Sequence, residues 1–196
     1  MPTFLSDPAP AFYLVLLAFV VITAAVAGRN QDRRSIVRFA IALAALLAVY
    51  GIDKAVESPR EEAVRRIQAM ADAADAKNPD RFVEHLANSV EFRNSAQPIV
   101  LKKEAVHNLP FWSLLRQNNV TVRVWGFSRD DFRRIDDNTL EIGFSAKGEV
   151  EGKMIPAYMK GEFKKQADGK WKLTAFASYD FARHDQPFPI PYFPSR

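Results

Sequence analysis

The sequence has no cysteine in its 196 residues, and this absence removes several classes of protein at once. A disulfide-stapled scaffold, a thiolate metal site and a cysteine nucleophile are all excluded. The sequence also lacks a large excess of either charge, because it has 27 lysines and arginines and 23 aspartates and glutamates. Its C-terminal part has no basic cluster. We therefore expect no nucleic-acid partner. The apolar content of 48% argues against a disordered chain.

Recognisable chemical motifs are also missing. The sequence contains no phosphate-binding glycine loop, no histidines and acids at metal-ligand spacing, and no nucleophile elbow. We therefore predict neither a cofactor nor a metal site. The three histidines are scattered, and the three tryptophans fit a hydrophobic core better than a stacking platform.

Charge is scarce in the first quarter of the chain, where two apolar runs stand close together. Residues 11–27 contain no charge, and residues 36–52 contain only Arg38, which lies near the end of its run. A bilayer core needs about 17–25 apolar residues per helix. These lengths predict a transmembrane helical hairpin within residues 1–52.

Two alternatives to the hairpin fit the pattern less well. Two buried helices of a soluble domain would each need a polar face toward water, and neither run has one. A cleaved signal peptide needs positive charge before its apolar core, whereas residues 1–10 have no lysine or arginine, and Asp7 is their only charge.

The connector between the apolar runs carries Arg29, Arg33, Arg34 and Arg38. Cytoplasmic loops of membrane proteins are enriched in lysine and arginine. We therefore expect the connector in the cytoplasm, and residues 53–196 on the periplasmic or extracellular side of an inner or plasma membrane.

Residues 53–186 read as one domain that begins with helices. Pro59 suits the first position of an amphipathic helix, and Asn78 caps a second one whose buried stripe includes Leu86. A short strand follows at 89–93. A third helical stretch covers about 102–117 and is interrupted at Pro110.

From residue 119 the apolar period changes from three or four to two, which predicts strands. The strands cover 120–127 (with a continuation through 132–135), 139–149, 154–165 and 171–181. Short turns join them, so the last four strands form a meander. Helices before a meander predict an α+β domain with its helices on one face of an antiparallel sheet.

Three stretches resemble the NTF2-like (SnoaL-like) superfamily: NPDRFVEHLANSVEFR, NVTVRVWGF and YMKGEFKKQADGKWKLTAFASYDF. The resemblance covers about residues 58–183. It implies a cone in which three helices pack on a curved antiparallel sheet around a pocket. Domains of this superfamily include isomerases, hydratases and noncatalytic binding or assembly modules, and they often form homodimers through the outer face of the sheet. No catalytic residue of the superfamily can be matched to this sequence.

Four side chains are the candidates for acid–base chemistry in such a pocket. A carboxylate, Glu91 or Asp180, together with Tyr158 or His85 would suit proton abstraction beside a carbonyl. Asp180 shares its strand face with Lys172, however, which favours a solvated position. His107 suits a helix end better than a site.

We therefore hypothesise a membrane-anchored, noncatalytic binding or assembly module that takes a protein partner or a small apolar ligand. The alternative is a small-molecule isomerase or lyase that uses a pocket carboxylate with Tyr158 or His85. A structural accessory of a larger membrane complex is a third interpretation. The tail 187–196 has four prolines and stands apart; packing on its own domain, docking on a partner and disorder all remain open.

Overall fold

The structure, a computed structural model, describes residues 10–55, 57–93 and 98–185. It divides the chain into two units, 1–59 and 60–196. The predictions for the tail 187–196 lie outside the described residues.

The first unit consists of two apolar helices, α1 (Pro10–Asn30) and α2 (Arg33–Ala55). Within them, Ala11–Asn30 has a mean hydropathy of 2.5 and Arg33–Gly51 one of 1.6, over 20 and 19 residues. At 1.5 Å per residue such helices are about 30 Å long, the thickness of a bilayer core. The Thr23 hydroxyl donates to the Phe19 carbonyl (2.9 Å), so its polar group is satisfied within α1. These features are compatible with a membrane anchor.

The second unit begins with helices whose ends follow local signals. The following bounds apply: α3, Pro59–Asp75; α4, Pro79–Val83; α5, Lys103–His107; α6, Phe111–Gln117. The Asn78 side chain accepts a hydrogen bond from the Arg81 backbone N–H (3.1 Å) and caps α4 as predicted. The third helical stretch is broken near Pro110 into α5 and α6, because proline cannot donate to the preceding turn.

The described residues of the second unit contain seven strands in one sheet. Their bounds are β1, Leu86–Phe92; β2, Ile99–Lys102; β3, Thr121–Trp125; β4, Phe132–Asp136; β5, Thr139–Val150; β6, Lys153–Lys165; β7, Trp171–Asp180. The order is β2-β1-β7-β6-β5-β3, and β4 pairs with the other end of β5. The α+β prediction is confirmed.

Four details of the predicted sheet are wrong. Leu86 begins β1 instead of extending α4, β2 was not predicted, and β4 is a separate strand. The sheet is mixed, since β1 runs parallel to β7. The spacing of Phe82 and Leu86 fits a helix as well as a turn followed by a strand, and only pairing with the distant β7 decides between them. Between β3 and β4, Gly126 adopts a left-handed backbone (φ +73°) that lets the chain turn away and return to β5.

The alternation predicted for β7 also fails at one point. Phe163 pairs with Leu173, but Glu162 pairs with Ala175, so Thr174 is an extra residue in β7. Such a β-bulge shifts the side-chain alternation by one. As a result both Leu173 and Phe176 lie on the inner face of the sheet.

The core lies between the inner face of the sheet and α3. Alternate residues of β5 are buried as predicted, with Leu140 and Ile142 fully covered. They belong to one cluster with Ile67 and Met70 of α3 and Phe163 of β6. This packing holds the helices over the sheet and determines where space is left between them.

Candidate functional site: an apolar cavity

A cavity of about 450 Å³ lies between the helices and the inner face of the sheet. Helices α3 and α6 cover it on one side, and β1, β7, β6, β5 and β3 form the other side. Its apolar lining includes Ile67, Met70, Ala74, Leu114, Leu115, Val90, Phe92, Val122, Val124, Phe144, Ala146, Ala157, Met159, Leu173 and Phe176.

The strand pattern explains why these side chains meet. Successive side chains of a strand point to opposite faces of the sheet, so alternate residues share a face. The inner face receives Val122 and Val124 from β3 and Phe144 and Ala146 from β5. Small residues such as Ala146 leave open space where larger residues would fill the core.

Polar groups are few around this cavity. Among its described lining residues the polar ones are Asn118 and Lys147, and no acid is present. Lys147 follows the inward-facing Ala146, so its side chain points to the outer face of the sheet. The Asn118 amide donates to the Leu114 carbonyl (3.1 Å), and Lys147 Nζ lies 3.4 Å from a Glu149 carboxylate oxygen. Asn118 is exposed, as is Ile155 at 46%, so the cavity reaches the surface there. We call this region, Asn118 and Ile155, the mouth.

Tyr158 does not line the cavity. Its neighbour Ala157 faces inward, so Tyr158 points to the outer face of the sheet. Its hydroxyl donates to Asp131 Oδ1 (2.8 Å), and its ring stacks on His184 with centroids 3.8 Å apart. Burial of Tyr158 and the hydrogen bond to Asp131 raise the pKa of its hydroxyl above the ordinary value.

The two candidate carboxylates lie outside the cavity as well. Glu91 accepts a hydrogen bond from Arg93 (2.7 Å), whose guanidinium also binds Glu162 (3.0 Å). The hydrogen bonds to Glu91 and Glu162 raise the pKa of Arg93. The Asp180 carboxylate accepts hydrogen bonds from the backbone N–H groups of Ala182 and Arg183 and so stabilises a turn.

His85 lies in the turn between α4 and β1, and its carbonyl accepts a hydrogen bond from the Leu173 N–H (3.0 Å). Its Nδ1 atom is buried and has no hydrogen-bond partner in the described part of the chain. Burial, and then the nearby Arg66 charge, lower the pKa of His85. No hydrogen bond or ion pair that the structure describes joins any two of His85, Glu91, Tyr158 and Asp180.

Other predicted positions have structural roles. His107 bonds to Asn108 (3.0 Å) and Asp80 (2.9 Å), which links α5 to α4. Trp112 and Trp171 are buried, whereas Trp125 is 39% exposed. Within the described residues, no group of three or more histidines and acids is arranged to hold a metal ion.

Sequence reasoning missed Asp131, the partner of Tyr158. Asp131 lies in the irregular segment before β4, where no periodicity indicates a direction for its side chain. The sequence left undecided whether the pocket that the resemblance implies is open, although the predicted strand faces contain most of its lining.

No protein-family model matches this sequence, and no curated protein matches it. Solved structures do match. A domain with a cystatin-like fold from Nostoc punctiforme aligns with a TM-score of 0.52 at 11% identity, over 69% of this chain and 82% of that one. An NTF2-like protein from Novosphingobium aromaticivorans gives 0.51 at 14% identity, over 72% and 89%.

A third similar structure is an NTF-2-like protein from Shewanella oneidensis, with a TM-score of 0.50 and 8% identity. The match covers 63% of this chain and 100% of that one. At such identities the similarity concerns the fold. With its helices, its mixed curved sheet and the cavity between them, the second unit of this chain has the NTF2-like α+β cone fold.

Proposed function

We propose that the chain is a membrane-anchored, noncatalytic binding module whose NTF2-like domain holds a small apolar molecule. The observation that carries the proposal is the cavity of about 450 Å³ with its almost wholly apolar lining. Ligand sites are typically clefts of about 300–1,000 Å³ lined mainly by apolar side chains. Burying an apolar molecule there removes its surface from water, which is favourable.

The positions of the acid–base candidates favour binding over isomerase or lyase chemistry. A general acid or base must reach its substrate within hydrogen-bond distance. Tyr158 faces away from the cavity and is engaged by Asp131. Glu91 is paired with Arg93, and Asp180 stabilises a turn.

The direct test is a titration of the full-length protein with N-phenyl-1-naphthylamine, an uncharged dye that becomes fluorescent in apolar sites. We expect saturable binding of one dye per chain. Ala146 is buried and lines the cavity, so Ala146→Phe should fill the space and weaken dye binding at least tenfold.

Ala182→Phe is the matched control, because Ala182 is exposed and follows the last strand. It should bind the dye as the unchanged protein does. Dye binding that never saturates, or that is equal in both variants, would contradict the proposal.

For the anchor, we propose that α1 and α2 cross the membrane with their arginine-rich connector in the cytoplasm. The support is the length and apolar composition of both helices together with Arg29, Arg33 and Arg34 at the connector. The domain would then lie on the periplasmic or extracellular side. Alkaline phosphatase fused to the C-terminus should be active. If a reporter that works only in the cytoplasm is active there instead, the proposed topology is wrong.

A further inference from the structure

We infer that the cavity holds the hydrocarbon tail of a single-chain lipid and selects it by tail length, while the headgroup remains outside at the mouth. The inference rests on the proposed function and narrows it to one class of ligand.

The inner part of the cavity offers nothing to a polar ligand atom. Its most deeply placed lining residues include Val90, Phe92 and Leu173, which are at most 5% exposed. A ligand oxygen buried there would lose its hydrogen bonds to water and find no described side chain to replace them, which is unfavourable. The part of the ligand inside must therefore be hydrocarbon.

The mouth is the place where a polar end can remain in water. Asn118 and Ile155 are exposed there. Lys147 points to the outer face of the sheet, and its ammonium lies 3.4 Å from the Glu149 carboxylate. Because Glu149 neutralises this charge, Lys147 does not favour an anionic headgroup over an uncharged one.

Two methionines suit the cavity to a flexible chain. Met70 of α3 and Met159 of β6 line it from opposite sides. Methionine side chains are unbranched and adapt to ligands of varying shape. A membrane anchor, as proposed, would hold the domain close to a source of lipid chains.

The inference has two quantitative consequences. Each additional methylene that enters the cavity should strengthen binding about fourfold until the cavity is filled. An alkanoate, the matching alcohol and the matching lysophosphocholine should differ by less than about threefold at equal tail length, with little effect of salt.

The experiment uses the full-length protein held in amphipol, a polymer that replaces lipid and detergent. Brominated dodecanoate quenches tryptophan fluorescence at short range, and the three tryptophans, Trp112, Trp125 and Trp171, all lie outside the anchor helices. Trp112 packs with Leu115 and Val120, which line the cavity. Unlabelled chains of 8 to 14 carbons with the three headgroups then compete for the site.

Stepwise strengthening with tail length, equal competition by the three headgroups, and loss of quenching in Ala146→Phe but not in Ala182→Phe would support the inference. If Ala146→Phe does not fold, Ala157→Leu replaces it, since Ala157 also lines the cavity. Competition that is independent of the competitor's tail length, or confined to one headgroup, would overturn it. If naphthylamine binds while no chain competes, the inference fails and the proposed function stands; if neither binds, both fail.

Discussion

At the residue scale, the hydrogen bond between Tyr158 and Asp131 should contribute measurably to stability. The Tyr158 side chain is buried, and its hydroxyl donates to a carboxylate. Hydrogen bonds to charged groups contribute about 1.5–3 kcal/mol. We expect Tyr158→Phe to lower the free energy of unfolding by about 1.5 kcal/mol in urea titrations near neutral pH. In a double-mutant cycle with Asp131→Ala, the coupling energy between the two positions should account for most of that loss.

The same pair gives a pH dependence with a defined sign. The pKa of Tyr158 is raised from 10.0, so the unfolded chain loses this proton at lower pH than the folded chain. Its stabilising contribution is therefore complete below pH 10 and declines as the pH rises further. The difference in unfolding free energy between the unchanged protein and Tyr158→Phe should shrink from pH 9 to pH 11. A difference that grows over this interval would contradict the assignment.

His85 should make the protein less stable in mild acid. Burial and Arg66 lower the pKa of His85 from 6.5, and Lys172 and Arg65 act in the same direction against Glu84. The unfolded chain therefore takes up this proton at higher pH than the folded chain, and stability is lost as the pH falls below about 6.5. Thermal melts of His85→Phe should decline less between pH 7.5 and pH 5.5 than those of the unchanged protein.

His107 provides the control of opposite sign. Its hydrogen bonds to Asn108 and Asp80 raise its pKa. Its contribution is therefore present at low pH and lost as the pH rises through the folded-state pKa. His107→Gln should decline more in acid than the unchanged protein. Equal slopes for the two histidine variants would contradict the direction of the pKa shift assigned to at least one of the histidines.

At the scale of elements, β5 and β6 approach closely where Gly143 faces Tyr158. A Cβ atom at Gly143 would lie only 2.8 Å from the Tyr158 ring carbon Cζ and even nearer the hydroxyl. Overpacking of this kind costs about 1–3 kcal/mol. Gly143→Ala should therefore destabilise the protein by that amount in urea titrations and disturb the hydrogen bond to Asp131.

Gly148 on the same strand is the matched control. A Cβ atom there would meet its nearest neighbour, Val120 Cγ1, at 3.7 Å, which is ordinary contact. Gly148→Ala should leave stability within about 0.5 kcal/mol, the usual range for changes without a specific mechanism. A similar loss in both variants would point to a general strand effect and contradict the role given to Tyr158.

The elements also show what the sequence could and could not predict. The two-residue period predicted correctly which residues of β5 and β6 face the core, because burial of one face fixes the side-chain alternation. It could not predict that β1 pairs with β7, since pairing between distant segments leaves no local pattern. The bulge at Thr174 moved Phe176 to the inner face, and a regular two-residue period could not predict this shift.

The candidate site was harder to predict than the fold. The chemistry of Tyr158, Glu91 and Asp180 suits acid–base catalysis, but their places on the sheet put them outside the cavity. Where the strand alternation was known, as for Ala157 and Tyr158, the outward direction of the tyrosine could have been read from the sequence. The volume left between α3 and the sheet depends on packing across the whole core and could not be predicted.

At the scale of the whole molecule, the two units should be separable. The second unit has its own core, which includes Ile67, Val90, Leu140 and Phe163. An NTF2-like domain of this size buries enough apolar surface to fold alone. We expect residues 57–196, expressed without α1 and α2, to be soluble and to unfold cooperatively on heating, whereas the full chain should fractionate with membranes.

Light scattering of the same 57–196 fragment addresses the homodimer that the fold resemblance implies. The outer face of the sheet presents Trp125 at 39% and Phe181 at 42% exposure, with their rings 6.3 Å apart. Pairing of two copies through this face would bury both side chains, so we expect the fragment to be a dimer. Trp125→Glu should convert it to a monomer that is still folded, as a cooperative thermal transition would show. If the unchanged fragment is a monomer, the dimer prediction is wrong. If the fragment aggregates, the core of the second unit depends on the anchor helices.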